Sequence, residues 1–227
     1  MYQKVFKRYE IKYLITISQK DKIVQTIKDY MTLDQYGKTT IRNIYFDTPN
    51  YRLIRESIEK PLFKEKLRLR SYGIVGEQDL AFLEMKRKSQ GVVYKRRTKI
   101  TEEEAFAFMG YKNDGDDSQI FKELKYFRDY YKDLKPVVLL LYDREAYYEK
   151  DLRITFDRNI RYRLNDLNLS TSLEGVQLDE GTIIMEIKTI NGMPLWLVDL
   201  LSNNKIYKTS YSKYGMAYKK VISKENK

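Results

Sequence analysis

The chain contains neither cysteine nor histidine among its 227 residues. Without cysteine it can form no disulfide and offers no thiolate to a metal ion. Without histidine, Ser-His-Asp and Cys-His catalysis and imidazole-based zinc sites are excluded. Any chemistry must therefore come from Lys, Arg, Tyr, Asp and Glu. The metal ions that suit such oxygen ligands are hard cations such as Mg²⁺ or Mn²⁺.

Long apolar runs are also missing. No stretch of 18 apolar residues occurs, so the sequence predicts no transmembrane helix. The longest apolar stretch, Val137 to Tyr142, suits a buried strand. The first residues lack the apolar core of a signal peptide, and from this we expect a cytoplasmic protein.

Positive charge is in excess. The chain has 43 basic and 32 acidic residues and a formal net charge of +11, which favours a polyanionic partner: nucleic acid, anionic lipid or phosphate chains. Its 21 tyrosines would also suit stacking on bases. The hydrophobic fraction of 42% is that of a globular protein, and no linker or repeat interrupts it. We therefore predict a single domain over residues 1–227.

Alternation of apolar and polar residues with a period of two dominates the chain and predicts strands. The predicted strands are Phe6 to Ile15, Thr40 to Phe46, Lys64 to Tyr72, Leu80 to Lys88, Val92 to Ile100, Val137 to Tyr148, Leu152 to Asp157 and Ile183 to Thr189. Ser18 as an N-cap predicts a helix over Ser18 to Tyr30, and the capping box that begins at Thr101 predicts a short helix after it. An apolar stripe predicts a helix over Ser118 to Tyr131, and further helices are predicted after Pro194 and over Ser212 to Ile222.

At least six of these strands carry Lys, Arg or Glu on one face and apolar residues on the other. For a single strand, the ordinary interpretation is a solvated outer face. Six largely cationic faces favour another arrangement, in which helices cover the apolar side and the charges line a closed barrel. The lysine and arginine side chains in such a lumen repel one another unless a polyanion lies between them. Arginine and lysine would bind a phosphate chain there, and acidic residues would hold a divalent metal ion.

Eight short motifs carry a family resemblance. In chain order they are Phe6-Lys7-Arg8-Tyr9-Glu10-Ile11-Lys12-Tyr13, Ile44-Tyr45-Phe46-Asp47-Thr48, Lys66-Leu67-Arg68-Leu69-Arg70-Ser71-Tyr72, Leu83-Glu84-Met85-Lys86-Arg87-Lys88, Tyr142-Asp143-Arg144-Glu145-Ala146-Tyr147, Arg153-Ile154-Thr155-Phe156-Asp157, Met185-Glu186-Ile187-Lys188 and Tyr211-Ser212-Lys213-Tyr214-Gly215. Together they resemble the VTC domain of polyphosphate polymerases, within the triphosphate tunnel (CYTH-like) superfamily. The resemblance implies an α+β fold: a closed, antiparallel, eight-stranded β-tunnel with helices packed outside.

The resemblance also implies site residues. As catalytic ligands of the phosphate chain it indicates Lys12, Arg68, Arg70, Lys86, Arg144 and Arg153. As further substrate-binding residues it indicates Lys95, Tyr142, Lys213 and the tunnel acid Glu10. A second lysine of the family aligns with Ser210, two residues after Lys208. Glu186 matches the metal-binding glutamate. Arg8 replaces the first acid of the superfamily's Glu-x-Glu-x-Lys motif, which argues against an ordinary triphosphatase and matches the VTC subgroup.

Three of these residues have alternative interpretations. Arg97 competes with Lys95 for the same role, because a slip of register by one residue reverses a strand face. Tyr142 can be an ordinary core residue. Glu186 can pair with Lys188 instead of binding a metal ion.

The resemblance implies that the γ-phosphoryl group of ATP passes to a growing polyphosphate chain, with Mn²⁺ or Mg²⁺ as cofactor. Two alternatives stay open: an inorganic triphosphatase or polyphosphatase, and a non-enzymatic module for polyphosphate or inositol phosphates. The expected partners are ATP and polyphosphate. Family members in eukaryotes work in membrane complexes, so a membrane partner is compatible with the sequence. Nucleic acid is disfavoured, since the basic residues lie singly along strands and form no patch.

Overall fold

The computed structural model of the protein describes residues 9–90, 92–222 and 224. The predicted strand residues 6–8, including Arg8, lie outside them. The chain divides into two compact units. The first unit comprises Met1–Thr40, Tyr142–Arg161 and Gln177–Lys213, and the second unit comprises Ile41–Leu141, Tyr162–Val176 and Tyr214–Lys227. The single domain expected over residues 1–227 stays a prediction.

Ten strands and six α-helices are formed by the described residues. The strands are β1 (Tyr9–Ile15), β2 (Thr32–Asp47), β3 (Phe63–Tyr72), β4 (Ala81–Ser89), β5 (Val92–Ile100), β6 (Lys135–Glu149), β7 (Leu152–Arg163), β8 (Val176–Asp179), β9 (Ile183–Thr189) and β10 (Lys208–Thr209). The helices are α1 (Ile17–Ile27), α2 (Arg52–Ile58), α3 (Glu102–Met109), α4 (Gln119–Tyr131), α5 (Leu195–Asn203) and α6 (Lys213–Ala217), and a π-helical turn (Tyr218–Ile222) follows α6.

The strands are hydrogen-bonded in the order β10-β1-β9-β7-β6-β2-β3-β4-β5, with β8 beside β7. The α+β class and the antiparallel pairing are as predicted. The closed eight-stranded tunnel is not: among the described residues there are ten strands, and no ladder joins the end strands β5 and β10. Alternation of apolar and charged residues reports strands and their faces. It carries no information on whether the two end strands pair with each other, and closure depends on that pairing.

In the second unit, the apolar face of the sheet packs against helices. Leu67 of β3 and Leu83 of β4 are fully buried, together with Leu53 of α2, Phe108 of α3 and Leu124 of α4. The predicted capping box at Thr101 is confirmed, and in α4, which was predicted from its apolar stripe, Ser118 is the N-cap. This packing directs the alternate, charged residues of β3 and β4 to the opposite face.

In the first unit, α1 covers the apolar faces of β1 and β9 through the fully buried Ile23 and Ile27. The predicted cap at Ser18 is wrong. Thr16 has the extended backbone of a cap, its hydroxyl accepts the N–H of Gln19 at 3.1 Å, and Gln19 returns a bond to the Thr16 N–H at 3.0 Å. Ser18 already lies in the first turn, where its backbone is helical.

Other differences concern element ends. β2 begins at Thr32 instead of Thr40, β7 continues to Arg163, and α2, β8 and β10 were not predicted. Helix α2 depends on a contact with the end of the preceding strand: the buried carboxylate of Asp47 accepts the N–H groups of Leu53 and Ile54 at 2.9 and 3.0 Å. It also accepts the hydroxyl of Tyr214 at 2.8 Å. Burial raises the pKa of Asp47, although these hydrogen bonds favour its charged form.

No helix among the described residues is long and apolar enough to cross a membrane.

Candidate functional site

The register of the second unit places basic residues of three strands side by side. Lys86 of β4 lies between Lys66 of β3 and Lys95 of β5. Two residues before Lys86 on β4, Glu84 lies between Arg68 of β3 and Arg97 of β5. Since residues paired across a sheet lie on the same face, these side chains share one face, opposite the leucines of the core.

Glu84 joins the cations of this face. Its side chain is 1% exposed; Oε2 is 2.8 Å from Nη2 of Arg68, and Oε1 is 2.6 Å from Nζ of Lys95. Arg70 and Arg97 are more distant, with nitrogen–oxygen separations of 3.8 and 3.7 Å. We call this set of five residues the Glu84 cluster. It contains four cations around one carboxylate, so it retains an excess of positive charge for an anion.

Neighbouring polar and aromatic groups orient the arginines of the Glu84 cluster. Arg70 donates from Nε to Oδ1 of Asn43 at 2.9 Å, and Arg68 donates from Nη1 to the hydroxyl of Tyr45 at 3.2 Å. The guanidinium of Arg97 lies 3.4 Å from the ring centroid of Phe82, a cation–π contact. Guanidinium groups fixed in this way keep a defined geometry for planar or tetrahedral oxyanions.

Protonation in the cluster follows its charges. Burial by itself would raise the pKa of Glu84, but Arg68, Arg70 and Lys95 outweigh it and hold that pKa far below its ordinary value. Desolvation lowers the pKa of Lys95 to about 8, an effect that Glu84 opposes and the repulsion of Arg70 reinforces. Glu84 is therefore ionised at neutral pH. The pKa of Lys95 lies about one unit above neutral pH, so Lys95 is mostly charged there.

The first unit contains a second buried carboxylate with cations around it. Asp157 of β7 is 0% exposed, and its two oxygens accept from Nε and Nη2 of Arg144 at 2.6 and 2.8 Å. Lys213, the first residue of α6, is 2.5 Å from Oδ2. The ring of Tyr142 lies 4.2 Å from the Lys213 ammonium and 5.3 Å from the Arg144 guanidinium. We call these four residues the Asp157 cluster.

Both partners of this second carboxylate shift its titration. Burial opposes ionisation, yet Arg144 and Lys213 lower the pKa of Asp157 to about 2. Tyr142 is 3% exposed, so it is a core residue by burial and at the same time a contact of both cations. The two interpretations of Tyr142 that the sequence left open are therefore compatible.

Glu186 lies in the middle of another polar row of the first unit. On β9 it pairs with Lys12 of β1 on one side and with Thr155 of β7 on the other. Glu186 as a whole residue is 8% exposed, and its Oε2 lies 3.6 Å from the ammonium nitrogen of Lys188. Lys12 donates to the backbone carbonyl of Tyr211 at 2.9 Å. The position is polar, enclosed and next to cations, which suits either a metal ligand or an ion pair.

Four further sequence candidates belong to neither cluster as defined above. Arg153 pairs with Asp34 at 2.8 Å, and its side chain is 44% exposed. Glu10 is exposed and lies opposite Lys188 in the register. Lys208 lies opposite the buried Tyr13, so it belongs to the other face of the sheet from Lys12. Ser210 follows β10 and is exposed.

Comparison with known families identifies the chain. The sequence profile of the VTC domain matches residues 7–222, nearly the whole length. The chain belongs to the VTC domain family. No curated protein sequence matches this VTC domain.

Two solved structures share the fold of this VTC domain. A candidate adenylate cyclase from Bacillus halodurans superposes with a TM-score of 0.59 at 13% identity, over 92% of this chain and 96% of its own. An adenylyl cyclase candidate from Hippeastrum, described as having a dominant triphosphatase activity, gives a TM-score of 0.56 at 16% identity, over 92% and 94% of the two chains. At these identities the likeness concerns the fold.

Four residues of the two clusters and their contacts were not among the predicted site residues: Glu84, Asp157, Arg97 and Asn43. Glu84 and Asp157 occur within the quoted motifs, and a carboxylate on an otherwise cationic strand face is the signal that would have found them. Arg97 was weighed only as an alternative to Lys95, yet both are two residues apart on β5 and both approach Glu84. Asn43 gave no signal, because a single asparagine on a strand has no characteristic spacing.

The oxygen groups near Glu186 determine whether this VTC domain fits a divalent metal ion. Among residues 9–90, 92–222 and 224, no three acidic side chains come together as a complete metal site. Beside Glu186, the hydroxyl oxygen of Thr155 is buried and makes no hydrogen bond within the described part of the chain. One carboxylate with a nearby hydroxyl fits Mg²⁺ or Mn²⁺, which commonly take one or two protein carboxylates and complete their shell with phosphate oxygens and water.

Proposed function

We propose that this VTC domain is a phosphotransferase that moves the γ-phosphoryl group of ATP to the end of a polyphosphate chain. The observation that carries the proposal is the Glu84 cluster, in which four cations from β3 and β5 surround one carboxylate of β4, the strand between them. Membership of the VTC family and a fold shared with a protein of triphosphatase activity support a phosphate-handling role. The cytoplasmic location expected from the sequence stays a prediction.

The composition of the cluster favours phosphate over other anions. Arg68, Arg70 and Arg97 present guanidinium forks that match the oxygens of a phosphoryl group, and Lys95 adds a point charge. An extended phosphate chain carries negative charge on every phosphate, so it can contact several such cations at once. Within the first unit, the Asp157 cluster separately brings together Arg144 and Lys213, which are cations of the same two types.

The reaction requires little chemistry from the protein. An oxygen of the terminal phosphate of the acceptor forms a bond to the γ-phosphorus, the bond from that phosphorus to the β,γ-bridging oxygen breaks, and ADP leaves. The acceptor oxygen is already anionic, so no general base is needed. Positioning and neutralisation of charge then supply the catalysis, as in other phosphoryl transfers. Arg68, Arg70 and Lys95 are the groups of the second unit that would neutralise the transferred phosphoryl.

We assign a divalent cation, Mn²⁺ or Mg²⁺, to Glu186, with Thr155 as a neighbouring oxygen. When bound, the ion would neutralise charge on phosphate oxygens. The residues of this chain provide the rest: Lys12 and Lys188 flank the carboxylate and limit its negative charge. Glu10 and Arg153 pair with Lys188 in the register, two residues along the strand from Glu186, and both are exposed, so they would contact the outer part of a bound chain.

The alternative is a triphosphatase, in which water replaces the polyphosphate acceptor. The fold shared with the Hippeastrum protein of dominant triphosphatase activity favours considering it. A module that binds phosphate chains without turnover is a further alternative. The three differ in their products and not in the cations that they require.

Incubation with ATP and Mn²⁺, followed by gel analysis for polyphosphate and by an assay for free phosphate, tests the proposal. We expect polyphosphate in amounts that match the ADP formed. Arg70→Gln should reduce product formation by about 10²-fold, as for loss of one strong electrostatic stabiliser. Arg87→Gln is the matched control, because Arg87 lies on the other face of β4 and pairs with Glu65 and Glu123.

Each other result identifies an alternative. Free phosphate without polyphosphate contradicts transfer and supports the triphosphatase. Tight binding of tripolyphosphate without turnover supports the binding module. Equal losses in Arg70→Gln and Arg87→Gln would show that the cluster has no special role.

A further inference from the structure

The carboxylate of Glu84 lies where an anion would be expected to bind. It is 1% exposed, and both of its oxygens are directed at cations: Lys95 at 2.6 Å and Arg68 at 2.8 Å. Arg68 donates two charge-assisted hydrogen bonds to Oε2, from Nε at 2.9 Å and from Nη2 at 2.8 Å, as arginine does to phosphate oxygens, and the Lys95 ammonium forms an ion pair with Oε1. Arg70 and Arg97, at 3.8 and 3.7 Å, complete a ring of positive charge around it.

We propose that Glu84 is an internal competitor of the phosphate ligand, which holds the four cations in place and limits the affinity of the site for phosphate chains. The inference rests on the proposed function, since it assumes that the cluster binds phosphate. Glu84 is a positioning residue in this account: it acts through Arg68, Lys95 and their neighbours and takes no part in bond making.

Two electrostatic effects of the carboxylate follow from Coulomb's law. It reduces the mutual repulsion of the cations and so keeps them close together before a ligand arrives. It also repels an incoming phosphate chain and shares its hydrogen-bond donors. The second effect grows with the charge of the ligand, so the carboxylate should weaken the binding of a triphosphate more than that of a single phosphate. A transferase that must release a long product benefits from such a limit, because tight binding of the ground state slows release.

A carboxylate that only stabilises the fold would behave differently. Glu65 on the neighbouring strand provides this comparison: it is 8% exposed, pairs with Arg87 and accepts the hydroxyl of Tyr131 at 2.9 Å. Glu65 directly precedes Lys66 on β3, and adjacent residues of a strand lie on opposite faces, so Glu65 is on the face of β3 opposite the Glu84 cluster. Glu84 and Glu65 are thus two buried, ion-paired glutamates on adjacent strands, of which only one lies among the proposed phosphate ligands.

The experiment is a calorimetric titration with tripolyphosphate and, separately, with orthophosphate, in excess chelator so that no metal ion contributes. Glu84→Gln keeps the shape of the side chain and removes its charge. We expect it to bind tripolyphosphate at least tenfold more tightly than the wild type, with a smaller gain for orthophosphate. Glu65→Gln should bind as the wild type does. Both variants should melt at lower temperature, so melting alone does not distinguish the two roles.

A second pair of variants keeps the test decisive if Glu84→Gln does not fold. Lys95→Gln removes one cation and should bind tripolyphosphate about tenfold more weakly than the wild type. The double variant Glu84→Gln, Lys95→Gln restores the net charge of the cluster and removes the closest ion pair as a unit. We expect it to bind about as tightly as the wild type, and thus about tenfold more tightly than Lys95→Gln.

The outcomes separate this inference from the proposed function. If the wild type binds tripolyphosphate but neither Glu84→Gln nor the double variant gains affinity over its parent, the competitor role is overturned and the phosphate site stands. An equal gain in Glu65→Gln would also overturn it, because the effect would then follow from net charge anywhere in the unit. If the wild type and all variants fail to bind any phosphate chain, the proposed function itself is contradicted.

Discussion

Arg144 and Asp157 form a two-point ion pair in which Nε and Nη2 of the arginine donate to the two carboxylate oxygens at 2.6 and 2.8 Å. The carboxylate is fully buried, and Lys213 is its second cation. A buried pair of this kind is costly to break from one side, because the remaining charges lose their partner without returning to water.

The first prediction follows from that pair. Asp157→Asn should lower the free energy of unfolding by about 3–5 kcal/mol, since it leaves Arg144 and Lys213 without a counter-charge. Asp143→Asn is the control: Asp143 pairs with Arg161, and its side chain is 30% exposed. Its loss should cost at most about 1 kcal/mol. Urea unfolding measures both, and equal losses would contradict the special weight given to Asp157.

The second prediction concerns acid. Arg144 and Lys213 overcome burial and lower the pKa of Asp157 to about 2 in the folded protein, below its ordinary value of 3.8. The carboxylate therefore stabilises the fold above about pH 4, and this contribution of about 2 kcal/mol is lost as the pH falls through 2. The free energy of unfolding, measured in urea between pH 2 and 6, should depend less steeply on pH in Asp157→Asn than in the wild type. Parallel curves would contradict the depressed pKa.

The third prediction concerns the affinity of the Glu84 cluster at alkaline pH. Desolvation holds the pKa of Lys95 at about 8, so the lysine loses its charge as the pH rises from 7 to 9. A bound phosphate chain favours the charged form, and binding above pH 8 must therefore take up a proton. Affinity for tripolyphosphate should fall several-fold between pH 7 and 9. Lys95→Arg should remove most of this fall, because arginine stays charged.

Calorimetry at several pH values measures this dependence. Comparison of the wild type with Lys95→Arg cancels the titration of the ligand and of more distant groups. A fall of the same size in both proteins would show that Lys95 is not the titrating group.

The fourth prediction distinguishes the two roles of Glu186. If it binds the divalent cation, Glu186→Gln should raise the metal concentration at half-maximal turnover and lower the maximal rate by about 10²-fold. If it only pairs with Lys188, the metal midpoint should stay and turnover should be near normal. Because Glu186 is buried, Glu186→Gln should lower the free energy of unfolding in either case, so the metal midpoint and not the stability distinguishes the two roles. Lys188→Gln is the control for loss of that pair alone.

The sequence predicted much of this architecture for physical reasons. Alternation assigned Lys66, Arg68 and Arg70 to one face of β3, and the register confirms that face because buried leucines occupy the other. Local capping chemistry predicted α3, since the capping box at Thr101 acts within one turn, and the apolar stripe predicted α4. Helix α2 was missed because its stabilising acceptor, Asp47, belongs to the preceding strand and is held by Tyr214, far along the chain.

The chemistry of the site was only partly accessible in the same way. A family motif identifies which cations lie on a strand, but not which carboxylate joins them. A carboxylate on a cationic strand face marks Glu84 and Asp157 as candidates, and the distances to Lys95 and Lys213 show that each is the centre of a cluster. The expectation of a closed tunnel failed for the related reason that strand patterns do not encode the pairing of end strands.

The fate of the γ-phosphoryl group of ATP tests the central claim most directly. ATP labelled with ³²P in the γ-position is incubated with the protein, Mn²⁺ and unlabelled tripolyphosphate, and the products are separated by chain length. The account predicts label in phosphate chains longer than the acceptor, in amounts equal to the ADP formed and greatly reduced in Arg70→Gln. Label found only in orthophosphate, or retained in ATP while the protein is saturated with tripolyphosphate, would contradict it.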